Sequence, residues 1–229
     1  MIEVAKARAA VLALGFVVPT AASAGDWDGL YGGVFVGGGG GLGHSDEING
    51  PRSYWPVTRG ATAGAVAGWQ RLEGRMVGGI EAEAGVLGLS GSSTRAVTGG
   101  TVEAKTSLGA YGALSARAGV LARPDLLIFG KAGIAVAALD ATTTQTCTPP
   151  GYCGGAQTGP TSRASTDRPA LGYTLGAGVE KTFEDRWSVR AEYQYVSFSD
   201  QLALPKGSGP GWHQSADAHL AKLGVARRF

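Results

Sequence analysis

The clearest pattern in this chain is a strict alternation of apolar and polar side chains over residues 187–195. A period of two is that of a β-strand with one apolar face. Two folds satisfy it: a soluble sandwich, in which the apolar face packs into a core, and a membrane barrel, in which it contacts lipid. The apolar positions are Trp187, Val189, Ala191, Tyr193 and Tyr195, and the polar ones are Ser188, Arg190, Glu192 and Gln194.

Eight such segments can be placed along the chain, at residues 30–40, 60–71, 76–86, 101–121, 126–137, 172–181, 187–195 and 218–229. Because the fourth is longer than one membrane span, we expect its start to include loop residues. Three connections are short, at residues 72–75, 122–125 and 182–186. The others are long and rich in Ser, Thr, Pro and Asn, at residues 42–58, 87–100, 139–171 and 196–217. Short turns at one end and long polar loops at the other are typical of an outer-membrane barrel.

The two ends of the chain agree with this interpretation. The last strand stops on Phe229, which is intelligible if the strand closes a barrel and leaves no open edge. At the other end, Lys6 and Arg8 precede an apolar run at residues 9–18 and small residues at 22–24, the layout of a secretory signal. A first transmembrane helix is the alternative, but that run is well short of the roughly 20 residues that a span needs.

The sequence therefore predicts an all-β fold, an eight-stranded antiparallel up-and-down transmembrane β-barrel preceded by a cleavable signal peptide. Residues 1–24 would be the signal peptide and residues 25–229 the barrel. Composition is consistent, since 39 glycines are poor material for helices. A net charge of +2 argues against a nucleic-acid partner. We expect a monomer or a weakly associating chain.

Charged side chains fall on the inward faces of several segments. An eight-stranded barrel is just wide enough for side chains to fill it, and buried charges must pair. We interpret these residues first as an ion-paired plug, and alternatively as the lining of a narrow porin that passes ions or small solutes, or as a gate. The predicted lumen network consists of Glu81, Glu83, Arg117, Lys131, Glu180, Arg190, Glu192 and Lys222.

Several blocks carry a family resemblance: YGGVFVGGGGGLG, VGGIEAEAG, LSARAGVLARPDLLIFGKAGIAVA, GYTLGAGVEKTFEDRWSVRAEYQYVSF and LGVARRF. In order and spacing the chain resembles the small eight-stranded outer-membrane barrels of Gram-negative bacteria, the OmpA-like or porin-family proteins of alphaproteobacteria. The resemblance implies export to the outer membrane, contact with its lipid, and a structural or surface-interaction role. It also implies that Phe229 is the signal read by the barrel-assembly machinery. The long loops would contact any extracellular ligand or host surface.

The two cysteines, Cys147 and Cys153, lie in the longest predicted loop. In an oxidising compartment a disulfide between them is expected. A metal site is the alternative, although the histidines have no ligand spacing. A haem or metal contact through His44 and His213, which fall in loops at the same end, is a weaker hypothesis.

Enzymatic motifs are weak in this sequence. Gly38, Gly40 and Gly43 satisfy GxGxxG, but no helix pattern follows them, so the nucleotide interpretation fails. No GxSxG elbow is present, and His219 lies within the last predicted strand, pointing outward near the outer interface. A lipid-modifying site at His213 or His219 is the competing hypothesis. We predict no catalytic, cofactor-binding or metal-binding residues.

Overall fold

The computed structural model describes residues 27–48, 50–148, 152–153, 156–157, 161–183, 186–203 and 211–229. The predicted signal peptide lies outside these residues. No helix in the described part of the chain is long and apolar enough to cross a membrane. The strands are β1 (Gly29–Glu47), β2 (Ser53–Tyr54), β3 (Val57–Glu73), β4 (Met76–Val97), β5 (Gly100–Arg123), β6 (Leu126–Cys147), β7 (Tyr152–Cys153), β8 (Ala156–Gln157), β9 (Thr161–Thr182), β10 (Trp187–Ala203) and β11 (Trp212–Arg228).

Eight long strands form one closed antiparallel barrel. Following β1, the strands β3, β4, β5, β6, β9, β10 and β11 each pair with the previous one, and β11 returns to pair with β1. The closing seam runs from Tyr31 opposite Arg228 to Glu47 opposite Trp212. The predicted eight-stranded up-and-down barrel is confirmed. The short strand β2 pairs with the end of β1, and β7 pairs with β8 in a separate two-stranded sheet.

Glycines on the inward face of β1 let this strand approach β11 at the seam. A Cβ at Gly37 would collide with the carbonyl oxygen of Ala221, and one at Gly41 with that of Asp217. Only a residue without a side chain fits such an approach. The run of glycines therefore has a structural role in closure.

The predicted short turns are found where the sequence placed them. Gly74 and Arg75 join β3 to β4, and Pro124 and Asp125 join β5 to β6. Gly74 has a φ of 63°, which favours glycine. The β9–β10 connection lies at residues 183–186.

The predicted long loops are largely strand, and this part of the prediction was wrong. Strands β4 and β5 continue to Val97 and from Gly100, joined only by Thr98 and Gly99. The start of the fourth segment is therefore strand rather than loop. Likewise, β6 continues to Cys147 and β9 begins at Thr161, with Thr146 opposite Thr161. Their threonines are β-branched and suit strands.

The outward face changes character at one height. On β6 every outward position from Ile128 to Ala138 is apolar or glycine, and from Asp140 to Thr146 every one is polar. The apolar stretch is about 33 Å along the strand, or about 25 Å along the axis of a tilted barrel, which is the height of a transmembrane band. We call the strand ends beyond it, residues 90–107, 140–147 and 161–166, the upper wall. Short turns of such barrels face the periplasm, so the upper wall faces outward.

Candidate functional site in the barrel lumen

The eight charged residues predicted for the lumen are all buried inside the barrel, each at most 5% exposed. They come from six strands and lie within the height of the transmembrane band. Alternation places each of them on the inward face of its strand, and the two pairs that share a strand, Glu81 with Glu83 and Arg190 with Glu192, are two residues apart. By strand they are Glu81 and Glu83 on β4, Arg117 on β5, Lys131 on β6, Glu180 on β9, Arg190 and Glu192 on β10, and Lys222 on β11.

Lys131 lies at the centre of a cage of three carboxylates. Its Nζ is 3.0 Å from Glu81 Oε1, 2.6 Å from Glu83 Oε1 and 2.7 Å from Glu192 Oε1. Its ammonium donates hydrogen bonds to Glu81 and Glu83, and its contact with Glu192 is an ion pair without hydrogen-bond geometry. The carboxylate oxygens of the three glutamates lie within 4.8 Å of one another, close enough to hold a metal ion. Lys131 occupies the position that such an ion would take.

Two further cations complete the charge balance around the cage. Arg190 donates two parallel hydrogen bonds to Glu81, from Nη1 to Oε2 at 2.6 Å and from Nη2 to Oε1 at 3.0 Å. Arg190 Nη2 also donates to Glu192 Oε2 at 2.5 Å. Lys222 Nζ lies 2.7 Å from Glu83 Oε1 and 3.0 Å from Glu192 Oε1. Each carboxylate therefore contacts at least two cations.

A second cluster surrounds Glu180 closer to the turn end. Arg117 Nη2 donates to Glu180 Oε2 at 2.5 Å, and Ser188 Oγ donates to Oε1 at 2.7 Å. Arg228 also donates to Glu180. Sequence reasoning missed Arg228 as a lumen residue. The signal was present, since Arg228 is six positions from Lys222 on the same strand and must share its inward face.

Neutral polar groups connect the clusters and fill remaining hydrogen-bond sites, and two of them, Tyr111 and Gln194, fall on the inward faces that alternation predicts. Tyr31 donates to Glu81 Oε2 at 2.7 Å, and Tyr111 donates to Glu83 Oε2 at 2.9 Å. Gln194 Nε2 lies within hydrogen-bond distance of Glu83 Oε2, Tyr111 and Thr174. Buried carboxylates are tolerated only when such partners replace water.

Aromatic rings cover the cations of the network. The guanidinium of Arg117 lies 3.9 Å from the centre of the Phe129 ring, and that of Arg190 lies 5.3 Å from the same ring. Lys222 lies over Phe35 at 4.5 Å, and Arg228 over Trp27 at 4.2 Å. Such cation–π contacts are stronger where water is excluded.

Apolar layers lie on both sides of the charge network. At the turn end, the indole Nε1 of Trp27 donates to the carbonyl oxygen of Pro124 at 2.8 Å. The backbone carbonyl oxygen of Trp27 accepts a hydrogen bond from the side chain of Gln70. Trp27 packs with Val77, Leu121, Leu127 and Phe129. Above the network is a larger apolar cluster that contains Leu87, Leu89, Leu108, Leu139, Phe198 and Leu220. Beyond this cluster, inside the upper wall, a third contains Tyr54, Val102, Ala104, Ala164, Ala203 and Trp212.

The space left inside the charge network is small. A cavity of about 10 Å³ adjoins Glu83, Arg190, Glu192 and Lys222. This volume holds about one water molecule.

Aromatic side chains mark both edges of the apolar exterior. At the turn end, the exposed aromatic residues are Trp69, Phe183, Trp187 and Phe229. At the other edge His219 points outward, as expected, with its Nδ1 2.5 Å from the hydroxyl of Tyr193 and its ring 4.9 Å from that of Tyr195. Amphipathic rings suit the interface between lipid and water.

The remaining predicted residues lie outside the lumen network. Cys147 is a buried, disulfide-bonded residue at the end of β6. Its pairing with Cys153 stays a prediction, because the side chain of Cys153 is outside what the structure describes. His44 and His213 lie on the paired strands β1 and β11, and the ring of His44 is 6.4 Å from that of Trp55.

A closed eight-stranded barrel with an apolar exterior and paired charges inside defines an integral membrane protein of the β-barrel class. The chain belongs to the outer membrane protein beta-barrel domain family, whose model matches residues 9–229. It is located in the outer membrane of a Gram-negative bacterium.

Named relatives come from alphaproteobacteria. The chain is 28% identical to the 22 kDa outer membrane protein of Rhizobium leguminosarum, over 90% of this chain and 80% of that protein. It is 27% identical to the 31 kDa outer-membrane immunogenic protein of Brucella melitensis, over 76% of this chain and 68% of that protein. Among solved structures it is similar to Ail, the attachment invasion locus protein of Yersinia pestis. That similarity has a TM-score of 0.38 and 12% identity, and it covers 88% of this chain and 99% of Ail.

Proposed function

We propose that this protein is a closed barrel with a structural and surface-interaction role in the cell envelope. The observation that carries the proposal is the lumen network, in which four buried carboxylates are each held by at least two cations. Moving an ion past these groups would require several charge pairs to break in a dry interior, each at a cost of several kcal/mol. The apolar layers above and below add further barriers.

The direct test is conductance of the refolded mature chain in a planar lipid bilayer. We expect near-silence for the wild type and for Arg71→Ala, a control that removes an exposed cation at the turn end. Steady conductance steps that change when Arg117 or Glu192 is neutralised would contradict the closed lumen. That result would favour the alternative function, a narrow porin.

We further propose that the chain works without catalysis, cofactor or metal. The outer interface holds His219 hydrogen-bonded to Tyr193, and ring contacts account for its surroundings. The test is the lipid profile of the outer membrane in a strain that carries His219→Ala or His213→Ala. A profile that differs from the wild type would contradict the proposal.

Assembly is proposed to depend on Phe229, the predicted signal for the barrel-assembly machinery. The Phe229 amide donates to the carbonyl oxygen of Leu30 across the seam, at 2.9 Å, and this backbone bond does not need the ring. Phe229→Ala should therefore lower the amount of folded protein in the outer membrane in cells, while refolding in detergent proceeds. Phe183→Ala, at another exposed aromatic of the turn end, is the matched control. Equal amounts of the Phe229→Ala protein and the wild type would contradict this role.

The upper wall is the proposed surface for contacts outside the cell, and the barrel itself is proposed to act as a monomer. Strand-supported residues present a fixed pattern to a partner at little entropic cost. Size-exclusion chromatography with light scattering of the detergent complex tests the oligomeric state. A protein mass of two or more chains would contradict the monomer.

A further inference from the structure

We propose that a groove at the outer mouth of the barrel, above the charge network of the lumen, is an oxyanion-binding site for sulfate or phosphate esters of extracellular saccharides. We call it the arm groove. It has a volume of about 400 Å³, and it is lined by Pro51, Arg52, Ser53, Tyr54, Arg95 and Val97. It lies between the short strand β2 and the tip of β4.

One wall of the groove is a rigid arm. Strand β2 folds back on β1, with Tyr54 opposite Ser45 and Ser53 opposite Asp46. The ring of Tyr54 packs against Trp212 at 5.6 Å between centres, inside the upper apolar cluster. A site held by packed strand residues needs little ordering when a ligand binds.

Arg52 is fixed in place with one donor group unused. Its Nε donates to Glu47 Oε2 at 2.7 Å, and its Nη2 donates to Glu47 Oε1. Its guanidinium also lies 5.8 Å from the centre of the Trp212 ring. The remaining nitrogen, Nη1, is buried and has no hydrogen-bond partner among the described residues. A buried, charged donor without a partner is costly, and an oxyanion would satisfy it.

Arg95 supplies a second cation at the opposite wall. It is exposed and forms no ion pair among the residues that the structure describes. Burial raises the pKa of Tyr54, while the positive charges of Arg52 and Arg95 oppose that rise. Both arginines line the groove together with Tyr54. Glu47 cancels the charge of Arg52, so Arg95 gives the groove its net positive charge.

The chemistry of the groove selects the ligand class. Two guanidinium groups, the hydroxyl of Ser53 and the hydroxyl of Tyr54 offer several donors to a tetrahedral oxyanion. The height of the groove above the membrane indicates which molecule carries the oxyanion. Arg95 is seven residues above the apolar edge at Gly88, or about 17 Å along the axis of the tilted barrel, which is beyond the phosphates of membrane lipid. A soluble or surface-displayed saccharide can reach it.

The experiment uses the folded mature chain in detergent micelles and measures binding by calorimetry at low salt. The probe is lactose 6′-sulfate, and unsulfated lactose is its matched control. We expect saturable binding of the sulfated sugar only, weakened by 0.5 M salt because exposed charges are screened. Arg95→Ala should weaken binding about tenfold, as expected when a charge-assisted hydrogen bond is lost.

Two variants distinguish binding at the arm groove from nonspecific attraction to positive charge on the protein. Arg52→Lys keeps the positive charge but removes Nη1, so it should weaken binding, whereas Arg71→Ala removes an exposed cation at the opposite end and should not. Heat-modifiable gel mobility confirms that each variant is folded. Equal binding of lactose and its sulfate, or wild-type affinity in both Arg95→Ala and Arg52→Lys, would overturn the proposal. So would binding to lipid A vesicles without binding of the sulfated sugar.

Discussion

The two halves of strand β6 share one unbroken alternation but differ on the outward face. From Ile128 to Ala138 the outward side chains are apolar or glycine, and the inward face contains the ammonium of Lys131. From Asp140 to Thr146 the outward side chains are polar, and Ala141, Thr143 and Gln145 are buried on the inward face. The lower half therefore presents an apolar face to lipid, and the upper half presents a polar face to water. The surrounding solvent, rather than the secondary structure, sets the polarity of the outward face.

This comparison shows that period and polarity carry different information. A period of two reports a strand in either half. The polarity of the outward face reports whether lipid or water surrounds it. The switch between Ala138 and Asp140 therefore locates the membrane surface on the sequence.

The largest expected effect comes from breaking the charge network in the lower half. Glu81→Ala leaves Lys131 and Arg190 partly unpaired in the membrane interior, and it should lower the free energy of unfolding by about 3–5 kcal/mol. In the upper wall, Glu103→Ala removes a carboxylate that lies 3.0 Å from Lys105 on the exposed face, and it should cost about 1 kcal/mol or less. Urea unfolding in lipid vesicles measures both. Similar losses for the two variants would contradict the distinction between halves.

A smaller effect is expected for a charge on the outer surface. Ile134, exposed on β6 near the middle of the apolar band, contacts lipid. Ile134→Arg should cost about 2–4 kcal/mol, the range for arginine at the bilayer midplane of a barrel. Thr142→Arg, eight residues higher on the same face, should change the free energy of unfolding by no more than about 0.5 kcal/mol. A large loss at Thr142 would mean that the membrane surface lies higher.

The interior of the upper wall should respond as a soluble core does. Val102 is fully buried there, packed in the cluster that contains Trp212. Val102→Ala removes the equivalent of two buried methyl groups and should lower the free energy of unfolding by about 2 kcal/mol. Thr101→Ala, on the outward face of the same strand, is the control and should be nearly neutral. The same vesicle unfolding assay measures this pair, and equal values would indicate an upper wall without a packed interior.

The smallest expected effect concerns the tip of the upper wall. The predicted disulfide between Cys147 and Cys153 closes a short loop at the top of β6. Its reduction should cost about 2 kcal/mol or less and should leave the lumen network intact. Maleimide labelling before and after reduction checks the bond. Labelling of the unreduced protein would show that these thiols do not pair.

The lower half could be predicted from sequence because its outward face is apolar along whole strands, as in Trp187 to Tyr195. The inward charges followed directly from alternation. The upper half was assigned to loops because Ser90, Thr142 and Thr144 give polar runs that resemble connections, although their β-branched neighbours also suit strands. Partners across the lumen could not be predicted, because alternation gives a residue's face but not the strand opposite. Trp27 acts through such a long-range contact, its hydrogen bond to the carbonyl oxygen of Pro124.

The lumen network also favours the correct strand register at the seam between β1 and β11. A seam shifted by two residues would keep every apolar side chain outward, and lipid would not distinguish one alanine or valine from the next. The same shift would move Lys222 on β11 by two positions relative to β1 and away from Glu83 across the lumen, so this ion pair would be lost. A barrel with the wrong register would thus be destabilised by its interior, although its contacts with lipid would be unchanged.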